Sequence, residues 1–133
     1  MECDRLVGIV LVSHSFELAR GLAALTSQLA GSEVRVEPAG GGPNGTLGTT
    51  DDTVRSAITR ADSGQGVVVL ADLGSSILTV RHLLEEGRGN GHVRLVDAPF
   101  VEGAIAAAVM SSAGQDLEDV ARAAEEARGA SKF

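Results

Sequence analysis

Two groups of polar residues in this sequence have the types and positions needed for phosphate chemistry. Ser13-His14-Ser15 follows the apolar run at residues 6–12, and Asp72 follows the apolar run at residues 66–71. A carboxylate that accepts a hydrogen bond from one imidazole nitrogen fixes the tautomer and leaves the other nitrogen nucleophilic. If the two runs form neighbouring parallel strands, His14 and Asp72 meet at the carboxyl edge of the sheet, where open α/β folds bind ligands.

Hydroxyl groups surround both positions in the sequence. Those that we expect to donate to phosphate oxygens are Ser15, Ser75, Ser76 and Thr49. Ser15 and the two serines after Asp72 lie where helices are predicted to begin, and helix N-termini favour bound anions. A phosphohistidine needs a neutral imidazole, an orienting acid and neutral donors, so the pattern predicts a site that requires no metal and no cofactor.

The elements that must position these residues alternate along the chain. Strands are predicted at residues 6–12, 33–37, 66–71 and 92–96, with Pro38 ending the second. Helices are predicted at residues 15–30 and 99–112, with others following Asp51, Ser76 and Asp116; loops lie at 39–50 and 87–91. Such alternation predicts an α/β fold. We expect an open three-layer sandwich with a four-stranded parallel sheet in the order 2-1-3-4 and helices on both faces.

Composition excludes several classes of function. The 133 residues predict one domain, 1–133, with a net charge of −7 and no Trp or Tyr. Nucleic-acid binding requires a basic face and often aromatic platforms, which this composition lacks. No run approaches the ~20 apolar residues of a membrane span, and the start of the chain does not resemble a signal peptide. With Cys3 as the single cysteine, a cytoplasmic protein is expected.

Other interpretations of the same residues remain open. A histidine at a strand end is often structural, and an Asp after a buried strand is often a helix cap. The main alternative is a non-catalytic α/β module that binds a small anionic metabolite at the same crevice. A small hydrolase using Ser13 or Ser15 is a third, although no G-x-S-x-G motif is present. His82, in a helix, and His92, at a turn, are not expected to have roles.

Three segments together resemble a known family: GIVLVSHSFELARGL, GVVVLADLGSSILT and VDAPFVEGAIAAAV. This combination is similar to the phosphotransfer subunit of bacterial dihydroxyacetone kinases, the DhaM type, whose first domain resembles the mannose-type EIIA domains of the sugar phosphotransferase system. The resemblance covers residues 6–114. It implies a single mannose-type EIIA-like phosphocarrier domain that is cytoplasmic and homodimeric.

The resemblance also implies a reaction and its residues. The chain would be a phosphotransferase component that takes a phosphoryl group from an HPr-like phosphocarrier and passes it to ADP on the kinase's nucleotide-binding subunit. The phosphorylated histidine of the family matches His14, and its orienting acid matches Asp72. The Gly-Thr of its long loop matches Gly48-Thr49, and its hydroxyls match Ser75 and Ser76.

Two differences from that family carry expectations of their own. Mannose-type domains end in an additional edge strand, whereas the end of this sequence is predicted to be helical, so no strand exchange between subunits is expected. Some members continue into HPr-like and enzyme-I-like domains, so a one-domain chain would need a separate donor protein. The helix at 99–112 is small and apolar on all sides, and we expect it to be deeply buried or to face a second subunit.

Overall fold

A computed structural model of the chain describes residues 5–42, 46–86 and 92–133. Cys3, the predicted turn at 87–91 and the centre of the predicted loop at 39–50 lie outside the described residues. The elements alternate as the sequence predicts: β1 Gly8–Ser13, α1 Phe16–Ala30, β2 Val36–Gly40, α2 Asp51–Ala61, β3 Val67–Ala71, α3 Gly74–Glu85, β4 Val93–Leu95, α4 Phe100–Ser112 and α5 Leu117–Glu126, followed by a 3₁₀ turn, Ala127–Gly129.

The four strands form one parallel sheet in the order β2-β1-β3-β4. The central pair is set by Ile9 of β1, which lies opposite Val68 of β3 on one side and Val36 of β2 on the other. Every residue of β1 is buried, as expected for a parallel strand covered on both faces. The predicted strand order is confirmed, and the carboxyl ends of β1 and β3 lie side by side.

Two separate cores cover the two faces of the sheet. Alternate residues of a strand point to opposite faces, so Ile9 and Leu11 join one core while Val10 and Val12 join the other. The first core is completed by α1, α4 and α5 through residues such as Leu22, Ala104 and Val120; the second is completed by α2 and α3 through Val54, Val80 and Leu83. The predicted three-layer sandwich is therefore confirmed.

Helix α4 owes its close approach to the sheet to its small residues. A Cβ atom added at Gly103 would lie 2.9 Å from Leu70 Cδ2 and 2.9 Å from Ala98 Cβ, closer than packed atoms tolerate. Its inner face also carries Ala104, Ala107 and Ala108, all fully buried. Val101 and Val109 on the outer face remain exposed, so the helix is buried on one side and apolar on the other.

The predicted end of the second strand is wrong. Strand β2 runs from Val36 to Gly40 and contains Pro38, which pairs with Leu11. Because β2 is an edge strand, only every other residue hydrogen-bonds to β1; the Arg35 carbonyl accepts from the amide of Ile9. The nitrogen of Pro38 therefore faces the open edge, where a missing N–H costs nothing.

Helix α1 is confirmed, but its apolar stripe is only partly buried. Leu22 packs in the core, whereas Leu18, Leu25 and Leu29 are 46%, 41% and 58% exposed. Helix α1 also packs against α4. No helix in the described ranges is long and apolar enough to span a membrane.

Candidate functional site

The site begins where β1 and β3 end together. Ser13 is the last residue of β1, and His14 and Ser15 form the turn into α1. Asp72 follows β3 directly, and its amide donates to the carbonyl of Val12 at 3.1 Å. The parallel pairing of β1 with β3 thus brings together His14 and Asp72, which are 58 positions apart in the chain.

Close packing holds the turn that carries His14. A Cβ atom added at Gly40, at the end of β2, would lie 2.7 Å from the Ser13 carbonyl oxygen and 3.0 Å from that of Ser15. From the other side, the amide of Gly48 donates to the His14 carbonyl at 2.9 Å. Ser15 caps α1 by accepting a hydrogen bond from Leu18, as the sequence predicts. The histidine backbone is therefore fixed before any ligand binds.

The ring of His14 is oriented by Asp72. Nδ1 lies 3.1 Å from Oδ1 of the carboxylate, and the two side chains are 22% and 11% exposed. An ionised carboxylate can only accept a hydrogen bond, so this contact requires the proton on Nδ1. The neutral ring then presents an unprotonated Nε2, which is the nucleophilic nitrogen that phosphoryl transfer needs.

The carboxylate of Asp72 is saturated with donors. Besides the imidazole ring, it accepts from the Ser13 hydroxyl at 2.8 Å, the His14 amide at 3.2 Å, the Leu73 amide at 2.7 Å and the Ser76 hydroxyl at 3.0 Å. Burial by itself raises the pKa of Asp72, but the hydrogen bonds from Ser13, His14 and Ser76 outweigh it and hold this pKa below its ordinary value. At neutral pH the group is therefore negatively charged beside the imidazole.

Ser13 belongs to the site in a way that sequence reasoning missed. The sequence suggests only a hydrolase nucleophile at this position, yet the Ser13 side chain is fully buried. Its hydroxyl donates to Asp72 Oδ2 and accepts from the Ser15 amide at 3.0 Å. Because the hydroxyl proton and one lone pair are both engaged, Ser13 is placed to hold Asp72 in position. The only sequence signal of this role is a polar residue at the end of an otherwise apolar strand.

Ser75 and Ser76 occupy opposite sides of the imidazole. The Ser75 hydroxyl contacts Nε2, at the face where a phosphoryl group would be bound. The Ser76 hydroxyl is buried and lies 3.1 Å from Nδ1, where it donates to Asp72. Both serines lie in the first turn of α3, whose N-cap residue Leu73 makes no capping hydrogen bond with its side chain. The N-termini of α1 and α3 therefore converge on His14.

Thr49 is connected to the site through Ser76. Its hydroxyl lies 3.0 Å from that of Ser76, so a chain of hydrogen bonds runs from Thr49 through Ser76 to Asp72. The segment before α2 is thereby attached to His14 and its surroundings at two points, Thr49 and Gly48. That Ser15, Thr49, Ser75 and Ser76 bind phosphate stays a prediction, and of these side chains Ser75 lies nearest to the free nitrogen.

Other histidines and cavities lie elsewhere. His82 pairs with Glu86 one helical turn away, and His92 pairs with Asp62 at the opposite end of the sheet. Two surface cavities, of about 490 and 700 Å³, are lined by neither His14 nor Asp72. Among the described residues, no group of His, Cys, Asp and Glu side chains could hold a metal ion. His14 is presented at an open crevice and not inside either cavity.

A family model and several relatives match this chain. The model described as the PTS system fructose IIA component, EIIA-man, matches residues 8–121. The chain is similar to the phosphoryl donor subunit DhaM of PEP-dependent dihydroxyacetone kinase 2 from Listeria innocua, with 32% identity over 117 residues that cover 86% of this chain and 94% of the relative. It is also 34% identical over 120 residues to the DhaM subunit from Escherichia coli K12. That match covers 86% of this chain but 25% of the relative.

Solved structures agree with these sequence matches. The crystal structure of a protein of unknown function is 32% identical, with a TM-score of 0.84, and the match covers 96% of this chain and 98% of the other. A sigma-54 interaction domain protein from Enterococcus faecalis is 20% identical, with a TM-score of 0.68 over 95% of this chain and 93% of that one. At that identity the likeness concerns the fold alone.

Proposed function

This chain belongs to the EIIA-man family of PTS components, and we propose on that premise that it is a phosphohistidine carrier in which His14 accepts and releases a phosphoryl group. The proposal rests on the surroundings of the two ring nitrogens of His14. Its Nδ1 lies 3.1 Å from an acid whose pKa is lowered, and its Nε2 faces an open crevice beside Ser75.

The transfer step needs little from the protein beyond position and charge. The lone pair of Nε2 attacks the phosphorus of the donor, a phosphorus–nitrogen bond forms to His14, and the bond between phosphorus and the donor's histidine nitrogen breaks. The proton on Nδ1 stays where it is, held by Asp72, whose negative charge stabilises the cationic ring of the product. In delivery, an oxygen of the acceptor's terminal phosphate bonds to the phosphorus, the phosphorus–nitrogen bond to His14 breaks, and its electron pair returns to Nε2.

Neutral donors would hold the transferred group. Ser75 lies at Nε2, while the N-termini of α1 and α3 direct backbone N–H groups and the positive ends of two helix dipoles at the same space. We add Ser15 and Thr49 to the proposed phosphate ligands because Ser15 is the N-cap of α1 and the Thr49 hydroxyl contacts that of Ser76. Ser76 would contribute through Asp72. Hydrogen bonds to phosphoryl oxygens stabilise charge as it develops in transfer.

The partners follow from the family. The relatives from Listeria innocua and Escherichia coli are named as phosphoryl donor subunits of PEP-dependent dihydroxyacetone kinases. We assign this chain the same place: an HPr-like phosphocarrier is its donor, and ADP on the nucleotide-binding subunit of a dihydroxyacetone kinase is its acceptor. Phosphoryl transfer then regenerates ATP for phosphorylation of the substrate.

Reconstitution tests this function directly. The purified protein is mixed with enzyme I, HPr and phosphoenolpyruvate, and its intact mass is measured before and after mild acid treatment. We expect a gain of one phosphoryl group that is stable in base and lost in acid, and formation of ATP when the nucleotide-binding subunit and ADP are added. No gain in mass contradicts the proposal and favours a module that only binds anions, whereas an acid-stable phosphate contradicts it by placing the phosphoryl group on a hydroxyl side chain.

A homodimer is part of the same proposal. Helices α1 and α4 pack against each other, and large apolar side chains of both remain exposed, among them Leu18, Leu25, Leu29, Val101 and Val109. Exposed apolar side chains on neighbouring helices favour a subunit interface, and an interface between identical chains is most often a symmetric pair. Sedimentation should give a dimer for the wild type and a monomer for Val109→Asp. A wild-type monomer at micromolar concentration contradicts the dimer.

A further inference from the structure

The two oxygens of the Asp72 carboxylate have different surroundings. Oδ2 accepts from the Ser13 hydroxyl at 2.8 Å and from the His14 amide at 3.2 Å. Oδ1 accepts from three donors: the imidazole Nδ1 at 3.1 Å, the Leu73 amide at 2.7 Å and the Ser76 hydroxyl at 3.0 Å. A carboxylate oxygen offers about two lone-pair sites. The imidazole therefore shares a crowded acceptor with Ser76, whereas Ser13 binds the other oxygen.

The proton of the Ser76 hydroxyl has one best acceptor. This hydroxyl lies 3.0 Å from Asp72 Oδ1, 3.1 Å from Nδ1 of His14 and 3.0 Å from the Thr49 hydroxyl. Nδ1 carries a proton and cannot accept, and an ionised carboxylate is a stronger acceptor than a neutral hydroxyl. Ser76 therefore donates to Asp72. In the unphosphorylated protein Thr49 then donates to Ser76, which makes Ser76 a better donor in turn.

This sharing of Oδ1 affects the energy of the phosphorylated ring. With a phosphoryl group on Nε2 and a proton on Nδ1, the imidazole of His14 is cationic, and a neighbouring carboxylate stabilises it. The stronger that stabilisation, the less readily the phosphoryl group leaves, and a carrier has to release what it accepts. A second donor on the same oxygen draws charge density away from the Nδ1 proton. Ser76 therefore weakens the grip of Asp72 on the cationic ring.

We propose that Ser76 raises the phosphoryl-transfer potential of phosphorylated His14 by competing with the imidazole for Asp72 Oδ1. The inference rests on the proposed function and goes beyond it, because it concerns the equilibrium of transfer and not the identity of the carrier. Ser76 is in this sense a positioning residue that acts through Asp72. Its complete burial fits that role, because a hydroxyl without exposed surface is not available to a group in the open crevice.

The equilibrium of phosphoryl exchange with HPr measures this potential. Phosphorylated HPr, freed of enzyme I, is mixed with an equal amount of this protein, and the four species are quantified by intact mass in mild base. The phosphorus–nitrogen bond to the histidine of HPr breaks as the bond to Nε2 of His14 forms, so no other reactant enters. Ser76→Ala should shift this equilibrium about fivefold towards phosphorylated His14, a fraction of the contribution of one hydrogen bond to a charged group.

The direction of the shift distinguishes competition from simple support. If Ser76 only held Asp72 in place, its loss would loosen the contact with the ring, and the equilibrium would move towards phosphorylated HPr. Asp72→Asn, which removes the charge, should move it in that direction. Ser76→Cys keeps a side chain of similar shape that donates only weakly. It should move the equilibrium the same way as Ser76→Ala but by less.

The matched control is Ser111→Ala. Ser111 is also fully buried, and its hydroxyl donates at 2.6 Å to the carbonyl of Val7, just before β1 begins. Like Ser76→Ala, this change removes one hydrogen bond from a buried serine, but at the opposite end of β1 from His14. It should lower the stability measured by urea unfolding and leave the exchange equilibrium unchanged.

Several outcomes would overturn the inference. An unchanged equilibrium in Ser76→Ala and Ser76→Cys, or a shift towards phosphorylated HPr, would do so and leave the proposed carrier function intact. An equal shift in Ser111→Ala would trace the effect to lost stability and not to competition for Oδ1. If the wild type takes no phosphoryl group from HPr, the proposed function itself is wrong, and the inference falls with it.

Discussion

Within the described residues, two histidine–aspartate pairs have the same separation but lie in very different settings. His14 Nδ1 lies 3.1 Å from Asp72, and His92 Nε2 lies 3.1 Å from Asp62. The first pair lies at the carboxyl end of the sheet with side chains 22% and 11% exposed; the second lies where β3 and β4 begin, with 44% and 34% exposed. Distance alone therefore does not distinguish a site from a surface contact.

The surroundings of the two carboxylates make the difference. Asp72 accepts from five donors, among them two fully buried hydroxyls, and its pKa is lowered. Asp62 accepts from His92 and from the Gly64 amide at the end of α2. A buried, fully bonded carboxylate holds one tautomer of its histidine, whereas an exposed pair is screened by water and worth little. Matched substitutions in the two pairs can test this contrast.

The largest effect is expected from the histidines themselves. His14→Gln removes the nucleophilic nitrogen and should lower phosphoryl uptake from HPr by at least about 10³-fold, whereas His92→Gln should be close to wild type. Both variants should keep the far-ultraviolet circular dichroism of the wild type, because His14 contributes little packing at an open crevice. Full phosphorylation of His14→Gln would refute the assignment.

Substitution of the aspartate in each pair should change the rate of phosphoryl transfer less than substitution of the histidine. Asp72→Asn keeps the size of the side chain but removes the charge and allows the wrong tautomer, and the analogous change in Ser-His-Asp hydrolases costs about 10⁴ in rate. We expect a loss on the order of 10²-fold here, because a phosphohistidine donor is already activated. Asp62→Asn should leave the rate unchanged. Equal rates for the two variants in stopped-flow transfer assays would mean that Asp72 does not orient His14.

The serines next to each pair offer a third contrast. Ser13→Ala removes a donor from Asp72 and should slow phosphorylation about tenfold, the effect of losing one hydrogen bond to a charged group. Ser63→Ala, beside Asp62, breaks a 2.8 Å bond to the Leu6 carbonyl; it should cost about 1 kcal/mol of unfolding free energy and no activity. An unchanged rate of phosphorylation by HPr in Ser13→Ala would show that Ser13 does not act on the site.

The smallest effect concerns stability in acid. The pKa of Asp72 is lower in the folded protein than in the unfolded chain. Its ionised form therefore stabilises the fold at every pH above the ordinary pKa of an aspartate, about 4. This contribution fades as the pH falls through the lowered pKa. In urea unfolding, the stability gap between wild type and Asp72→Asn should be constant near neutral pH and shrink below about pH 4. A gap that widens in acid would contradict the shift.

Much of the fold follows from the sequence, because buried parallel strands are continuous apolar runs. β1 and β3 are such runs, and placing them side by side was enough to predict that His14 and Asp72 meet. The end of β2 was predicted wrongly, since a proline ends a strand only if its nitrogen faces a neighbour. At Pro38 the nitrogen faces the open edge, which depends on the pairing register and not on local sequence.

The details of the site depend on contacts that the sequence does not display. The role of Ser13 requires both its burial and an acceptor that is 59 positions away. Ser75 and Ser76 are identical neighbours, yet the helical rotation between them sends one hydroxyl towards Nε2 and the other to the Asp72 side. The apolar stripe of α1 predicts a helix, but the burial of a single residue such as Leu25 depends on how α4 packs against α1.

The position of the phosphoryl group on the imidazole tests the central claim most directly. The wild-type protein, labelled with ¹⁵N and phosphorylated by HPr, is studied by ³¹P and ¹⁵N NMR in mild base, where phosphohistidine persists. Phosphorus bonded to Nε2 of His14, with the proton still on Nδ1, is the predicted result. Phosphorus on Nδ1, or on any other residue, would contradict the role of Asp72 and with it the comparison between the two pairs.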